Sequence, residues 1–178
     1  MAIDRLPVVG VMGSGQQPHE EKAVLLGQWL AREGVHLLTG GGKGVMTAVS
    51  RAFCEIPGRR GRVIGVLPGE EGTARSKSGY PNPWVEIPIY THLLHSGKRG
   101  EEMLSRNHIN VLSSDVVIAL PGSAGTSSEV ALAVSYERPV VCFLESRDEI
   151  PGLPDGVDVR GDLEGIAKFV RSVLSAAD

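Results

Sequence analysis

Three glycine-rich segments of the sequence have the composition of loops that bind anions. Each follows a short apolar run and precedes a stretch with helical spacing. Their candidate phosphate-binding residues are Gly13, Ser14 and Gly15 in the first loop, Gly41, Gly42, Lys43 and Gly44 in the second, and Gly122, Ser123, Ala124, Gly125 and Thr126 in the third. Glycine leaves backbone amides open to a ligand, and the helix that follows carries a partial positive charge at its N-terminus. The loops therefore predict a phosphate site, although taken singly each is equally well explained as a tight turn.

None of the three loops matches a sharper nucleotide-binding motif. The first, Gly13-Ser14-Gly15-Gln16-Gln17-Pro18, lacks the third glycine of a dinucleotide motif, and no acidic residue ends the next strand to hold a ribose hydroxyl. In the second loop Gly44 follows Lys43 where a P-loop requires Ser or Thr, and Leu37 stands where its first glycine belongs. The sequence thus disfavours classical NAD binding and a P-loop NTPase.

Arg106 and Glu129 are the two candidate catalytic residues. The fork-shaped guanidinium of Arg106 can hold a phosphate or pair with a carboxylate, although a solvated helix arginine is the simpler explanation from the residue alone. The Glu129 carboxylate can bind a ribose hydroxyl or activate water if it faces the ligand. A structural alternative exists for Glu129, because Thr126-Ser127-Ser128-Glu129 has the T-x-x-E pattern of a helix capping box.

The elements that must position these residues alternate between strand and helix. Apolar runs predict strands over residues 6–12, 35–38, 62–67, 84–89, 116–120 and 140–144, and helical spacing predicts helices over 20–33, 45–54, 101–112, 126–136 and 161–177. This alternation predicts an α/β fold, with residues 1–178 forming a single doubly wound, Rossmann-like domain around a mostly parallel sheet. Strand-to-helix loops of such a sheet emerge at one edge, which favours a shared ligand site over three unrelated turns. Residues 70–82 fit neither pattern, and we expect them to form a mobile flap.

The overall composition argues against several classes of partner. The chain has 178 residues, a formal net charge of -3 and a pI near 6.0, so neither a nucleic-acid-binding stripe nor a basic membrane patch is expected. Cys54 and Cys142 lie in apolar segments and are expected to be buried, reduced thiols. His92 and His95 lack a third ligand, so we expect no metal site. Without a signal pattern or a long apolar segment, the expected location is the cytoplasm, the expected partner is a small molecule, and no cofactor is required.

A longer pattern resembles the signature of the LOG (Lonely Guy) superfamily. The matching segments are Met103-Leu104-Ser105-Arg106-Asn107, the strand Ser114–Leu120, and Pro121-Gly122-Ser123-Ala124-Gly125-Thr126-Ser127-Ser128-Glu129. The family pattern is Met-x-x-Arg-Lys followed by Pro-Gly-Gly-x-Gly-Thr-x-x-Glu, and the first two glycine loops also fall where the family has them. The resemblance covers residues 6–144, and the combined pattern is far more specific than any one loop.

The resemblance implies one of two functions. The family contains cytokinin-activating phosphoribohydrolases, which cleave the base from a ribose 5′-monophosphate, and molybdenum-cofactor carrier proteins, which bind a pterin phosphate. This sequence departs from the hydrolase pattern at Asn107, Ser123 and Ser128 and is more similar to the carrier branch. We therefore expect a bound nucleotide or molybdopterin-type phosphate with Arg106 and Glu129 at its centre. The alternative is hydrolysis of nucleoside 5′-monophosphates by the same two residues, and the resemblance also implies a homodimer or a higher homo-oligomer.

Overall fold

A computed structural model describes residues 5–73 and 75–176, and its core is one parallel sheet of seven strands. The strands are β1 (Val8–Met12), β2 (His36–Thr39), β3 (Val63–Leu67), β4 (Ile87–Tyr90), β5 (Val116–Ala119), β6 (Val140–Phe143) and β7 (Asp158–Arg160). Their order is β4-β3-β2-β1-β5-β6-β7, and every neighbouring pair is parallel. This arrangement confirms the predicted α/β, Rossmann-like fold.

Helices cover both faces of the sheet. They are α1 (Glu20–Arg32), α2 (Val45–Cys54), α3 (Asn107–Leu112), α4 (Ala124–Ser135) and α5 (Leu163–Ser175). In β1, Val9 and Val11 pack in the core that contains α1, α2 and α5, whereas Met12 packs with α3 and α4 on the opposite face. A strand buried on both faces needs apolar side chains in both directions, which explains the continuous apolar run.

The strand order reverses between β1 and β5, and this reversal brings the glycine loops together. β2 lies on one side of β1 and β5 on the other, so the chain leaves the two strand ends in opposite directions and opens a crevice at the carboxyl edge. The Ser14 amide donates to the Pro121 carbonyl at 3.1 Å, which joins the first loop to the third. The Val45 amide donates to the Ser14 carbonyl at 2.9 Å and joins the second loop to the first.

Several element boundaries differ from the predictions. The strand β7 was not predicted, because it has only three residues and two of them are charged. The helix predicted over residues 101–112 begins only at Asn107, because the preceding residues fold as a 3-10 turn (Gly97–Arg99) and further turns. Cys142 is buried as predicted, but Cys54 is only half-buried. Among the described residues, no helix is long and apolar enough to cross a membrane.

The predicted flap at residues 70–82 contacts the rest of the protein at both ends. Gly69 and Ser76 form an isolated antiparallel bridge. At the other end, the Asn82 amide donates to the Gly41 carbonyl at 2.8 Å, and its side-chain nitrogen donates to the Gly42 carbonyl at 2.9 Å. These bonds dock the end of the segment onto the second glycine loop. Its mobility stays a prediction, and residue 74 lies outside the described residues.

Candidate ligand-binding cleft

A cleft of about 660 Å³ opens at the carboxyl edge between β1 and β5. Its size lies within the range of small-molecule sites. Nine of the predicted site residues line it: Gly13, Ser14, Gly15, Arg106, Gly122, Ser123, Gly125, Thr126 and Glu129. The first and third glycine loops, together with the two candidate catalytic residues, therefore share one cavity.

The N-terminus of α4 offers unpaired amides to this cleft. Ser123 is the N-cap, but its side chain makes no capping hydrogen bond. The Ser127 amide donates to the Ser123 carbonyl at 3.0 Å, and in the described part of the chain the three preceding amides, those of Ala124, Gly125 and Thr126, have no acceptor. The helix therefore starts two residues before the predicted Thr126, and its first turn can bind an anion.

The first glycine loop pairs some of its amides with its own Ser14 side chain and forms a wall of the cleft. The Ser14 hydroxyl accepts hydrogen bonds from the amides of Gln16 at 3.2 Å and Gln17 at 2.9 Å. The helix α1 then begins after His19, a residue with φ 42° whose side chain makes no capping bond and which lines the cleft. Since two amides of this loop are already paired, α4 is the stronger of the two anion sites.

The second glycine loop supports the cleft rather than lining it. Gly40 and Met46 face the cavity, whereas the predicted phosphate-binding residues Gly41–Gly44 are not among its lining residues. The conformation of Gly44, with φ 62°, favours glycine, and a Cβ atom there would overlap the Ser14 carbonyl. Lys43 is exposed and lies beside Gly79. Direct contact of these residues with a ligand stays a prediction.

Arg106 is a buried cation at the base of the cleft. The residue is 6 % exposed, and its Nη1 atom donates to the carbonyls of Gly40 and Val66. The guanidinium carbon lies 5.4 Å from the centroid of the Tyr80 ring, a cation–π distance. Burial lowers the pKa of Arg106, against the opposing fields of Tyr80 and Glu129. Its Nε atom is buried without a hydrogen-bond partner among the described residues.

Glu129 is a buried carboxyl group near Arg106. It is 9 % exposed, and its Oε1 atom accepts a hydrogen bond from Asn110 Nδ2 at 3.0 Å. Burial raises the pKa of Glu129 to about 7, although the nearby guanidinium of Arg106 and the Asn110 bond act to lower it. In the described part of the structure, no ion pair within 4.0 Å joins this carboxyl group to Arg106.

The structure excludes the capping-box explanation for Glu129. Thr126 is the third residue of α4 and not its N-cap, so Glu129 lies too far along the helix to complete a box. The Thr126 hydroxyl instead packs against Gly122. A Cβ atom at position 122 would overlap this hydroxyl, so the position requires glycine. Glu129 is therefore a cleft residue with a side-chain partner on α3.

Sequence reasoning missed further residues that line the cleft. The additional lining residues include His19, Met46, Tyr80, Ser96, Gly97 and Glu149. Tyr80 comes from the irregular segment before β4, and its contact with Arg106 had no local sequence signal. Glu149 adds a second carboxylate to the cleft, but its Oε2 atom already accepts from the Glu145 amide at 2.7 Å. Within the described residues, no group of three His, Cys, Asp or Glu side chains could hold a metal ion.

Similar proteins share both the sequence pattern and the fold. A protein of Archaeoglobus fulgidus without a described function is 31 % identical over 138 residues, covering 76 % of this chain and 79 % of that protein. A probable cytokinin riboside 5′-monophosphate phosphoribohydrolase of rice, Oryza sativa subsp. japonica, is 31 % identical over 121 residues. That match covers 67 % of this chain but only 43 % of the rice protein.

Two solved structures superpose over nearly the whole chain. The molybdenum cofactor binding protein of the phototrophic bacterium Rippkaea orientalis has a TM-score of 0.71 and 32 % identity, with 97 % of this chain and 99 % of that chain covered. The molybdenum cofactor carrier protein of Chlamydomonas reinhardtii has a TM-score of 0.70 and 31 % identity, with the same coverage of 97 % and 99 %. The resemblance found in the sequence is thus confirmed. The model of the SLOG cluster4 family matches residues 6–155, and the chain belongs to that family.

Proposed function

We propose that this chain binds a phosphate monoester of a nitrogen heterocycle, a nucleotide or a molybdopterin-type pterin phosphate, in the cleft between β1 and β5. The observation that carries the proposal is the convergence of the free amides of α4 and the buried guanidinium of Arg106 on one cavity. A phosphate group accepts hydrogen bonds from both kinds of donor. The likeness to a cofactor-binding protein and a cofactor carrier supports the pterin form of the ligand.

The charges of the cleft fit a ligand with a single phosphate group. Arg106 is the buried cation of the cavity, and the carboxyl groups of Glu129 and Glu149 lie along the same walls. Each further phosphate would bring more negative charge, and the described lining residues include no second buried cation to balance it. The remaining space suits a flat ring, because Tyr80 and Met46 add an aromatic face and a polarisable side chain to the lining.

Replacement of Gly125 by valine tests the position of the anion site. A Cβ atom on Gly125 would lie 3.5 Å from Gly97 Cα, an ordinary contact, so the variant should fold while its larger side chain occupies the cleft. Calorimetry should show that Gly125→Val abolishes the binding of GMP and of ribose 5-phosphate. The matched control is Ala131→Val on the same helix, a half-buried position that does not line the cleft. Unchanged affinity in a folded Gly125→Val protein would place the site elsewhere.

Glu129 favours a second candidate function, hydrolysis of the base–ribose bond of nucleoside 5′-monophosphates. A carboxyl group whose pKa lies at about 7 can give or accept a proton near neutral pH, as general acid–base catalysis requires. The similarity to the rice phosphoribohydrolase supports the same activity. Incubation with AMP and chromatography of free adenine distinguishes the two functions. Binding alone predicts weak or absent adenine release, whereas turnover near the ordinary enzymatic value of about 10 per second would establish the hydrolase.

We also expect the chain to form a homodimer. Apolar side chains at the ends of the packed helices α3 and α4 remain exposed: Leu112 and Val134 are each 45 % exposed, and Tyr136, the C-cap of α4, is 40 % exposed. Neighbouring exposed apolar groups of this kind are typical of association surfaces. Light scattering of the purified protein measures the assembly directly, and Val134→Glu should shift it toward the monomer.

A further inference from the structure

We propose that Asn107 recognises the ring of the ligand. Its side-chain amide would pair with a nitrogen heterocycle that presents a hydrogen-bond donor beside an acceptor, as guanine and pterin rings do. This inference rests on the proposed function, because it concerns the same cleft, and it assigns the heterocyclic part of the ligand to a named residue.

The Asn107 side chain is buried in the cleft wall without a partner. The residue is 3 % exposed and lines the cavity. Its backbone amide donates to the Ser105 hydroxyl at 3.2 Å. Across the described residues, neither its Oδ1 nor its Nδ2 atom forms a hydrogen bond with the protein. The acceptor and the two donors of this amide are therefore not used by the described part of the protein, and the residue lines the cleft.

A ligand that fills the cleft displaces the water around this amide, and the amide is then left unpaired unless the ligand itself supplies partners. A phosphate group offers only acceptors and can satisfy Nδ2 but not Oδ1. An edge with a ring N–H beside a carbonyl satisfies both atoms at once, in the same two-bond geometry by which asparagine reads adenine. The chemistry of Asn107 thus matches the ring and not the phosphate.

The surroundings of Asn107 hold the amide in place. A Cβ atom on Gly100 would lie 2.6 Å from Asn107 Nδ2 and 2.7 Å from Ser128 Cβ, so the turn after Gly97 packs closely against this amide and against α4. Arg106 precedes Asn107 in the chain and lines the same cavity, and Asn110, one turn further along α3, donates to Glu129. A fixed amide beside the buried cation can therefore select the ring of a ligand whose phosphate binds elsewhere in the same cavity.

The test compares Asn107→Leu with the unchanged protein in titrations of ribose 5-phosphate, guanosine and GMP. Guanine carries the same amino-oxo-pyrimidine ring as a pterin, and leucine has nearly the shape of asparagine without its polar atoms. Loss of one or two ring hydrogen bonds should weaken GMP and guanosine binding by about 10- to 100-fold, while ribose 5-phosphate affinity stays the same. The melting temperature of the ligand-free variant should be unchanged or higher, because the replaced amide has no partner. Gln28→Leu on α1, outside the cleft, is the control for the same type of substitution.

The alternative outcomes are distinct. Equal loss of ribose 5-phosphate and GMP affinity would place Asn107 at the sugar or phosphate and overturn the assignment, and unchanged GMP affinity would overturn it directly. A lower melting temperature in the ligand-free variant, with equal weakening of all three probes, would make Asn107 a structural residue. If ribose 5-phosphate fails to bind the unchanged protein, the proposed phosphate site is wrong, but guanosine still tests Asn107. Absence of guanosine and GMP binding in the unchanged protein would refute the ring assignment.

Discussion

Replacement of Glu129 by glutamine should make the protein more stable at high pH and leave its stability nearly unchanged at low pH. The carboxyl group is buried, and its pKa rises from an ordinary value of 4.5 to about 7 on folding. Between these two values the folded state binds more protons than the unfolded state, so the free energy of unfolding falls as the pH rises. Glutamine keeps the acceptor for Asn110 Nδ2 and carries no charge, so it removes this pH dependence.

The size of the effect follows from the same two pKa values. Each pKa unit corresponds to about 1.36 kcal/mol, so ionising Glu129 in the folded chain costs roughly 3 kcal/mol once the pH exceeds 7. For a chain of this length, 1 kcal/mol shifts the melting temperature by roughly 2–4 °C. Glu129→Gln should therefore melt within a few degrees of the original protein at pH 5 and roughly 6–12 °C higher at pH 8.

Thermal denaturation of both proteins at several pH values between 5 and 8 measures this difference. Glu149→Gln is the matched control, because Glu149 also lines the cleft but its carboxylate already accepts from the Glu145 amide, and its replacement should give no gain at pH 8. A constant difference between Glu129→Gln and the original protein across the pH range would refute the reasoning, since it would mean that Glu129 ionises as freely when folded as when unfolded.

Three further perturbations probe the same cleft. Gly40→Ala should destabilise the protein by about 1–3 kcal/mol and weaken phosphate binding, because its Cβ atom would overlap the Arg106 guanidinium. Denaturant unfolding measures the stability loss, and Gly15→Ala, whose Cβ would lie 3.7 Å from Met46, should keep the stability of the original protein. Asn110→Ala should lower the free energy of unfolding by about 1–3 kcal/mol. Because the lost bond lowers the pKa of Glu129, the fall in stability with pH should also extend to higher pH, and melting temperatures with the same pH dependence as the original protein would contradict this. The affinity for ribose 5-phosphate should fall about five-fold between pH 6.5 and 8.5, because Glu129 ionises over this range and one like charge in the cleft is worth about 1 kcal/mol. Calorimetry measures this fall, and the affinity of Glu129→Gln should depend less on pH.

The sequence was sufficient for the fold because the central strands are buried on both faces. Runs such as Val8–Met12 are continuously apolar, and each is followed by glycine and then a helix, which leaves few alternatives to a parallel sheet. The edge strand β7 has no such run, because two of its three residues, Asp158 and Arg160, are charged, and neither is buried. The overlong prediction for α3 has a different cause. Local spacing around residue 101 permits a helix, but the Leu104 carbonyl accepts from the His95 amide at 3.0 Å, and His95 and Ser105 form an isolated bridge, so the segment pairs with a preceding part of the chain.

The candidate site was only partly predictable, because some of its contacts join distant parts of the chain. Arg106 and Glu129 stand out through residue type and motif, and the structure places both in one cavity. Tyr80 contacts Arg106 from a segment that Asn82 anchors to the second glycine loop, some forty residues earlier, and no local pattern encodes that contact. The capping-box interpretation of Glu129 depended on an N-cap at Thr126, three residues after the observed N-cap Ser123, a shift within the usual error of helix ends predicted from sequence.

The way in which Arg106 is held bears on the choice between binding and catalysis. Its Nη1 atom donates to two backbone carbonyls, so the guanidinium is oriented before any ligand arrives and without help from Glu129. A cation fixed in this way interacts with the phosphate of a bound ligand both before and during any reaction, which strengthens binding without accelerating a chemical step. Bond cleavage would instead require a group that responds to the developing charge, and Glu129, poised near its pKa, is the cleft residue suited to that role. Loss of Arg106 would therefore appear in affinity under either function, and Glu129 is the residue whose replacement separates a carrier from a hydrolase.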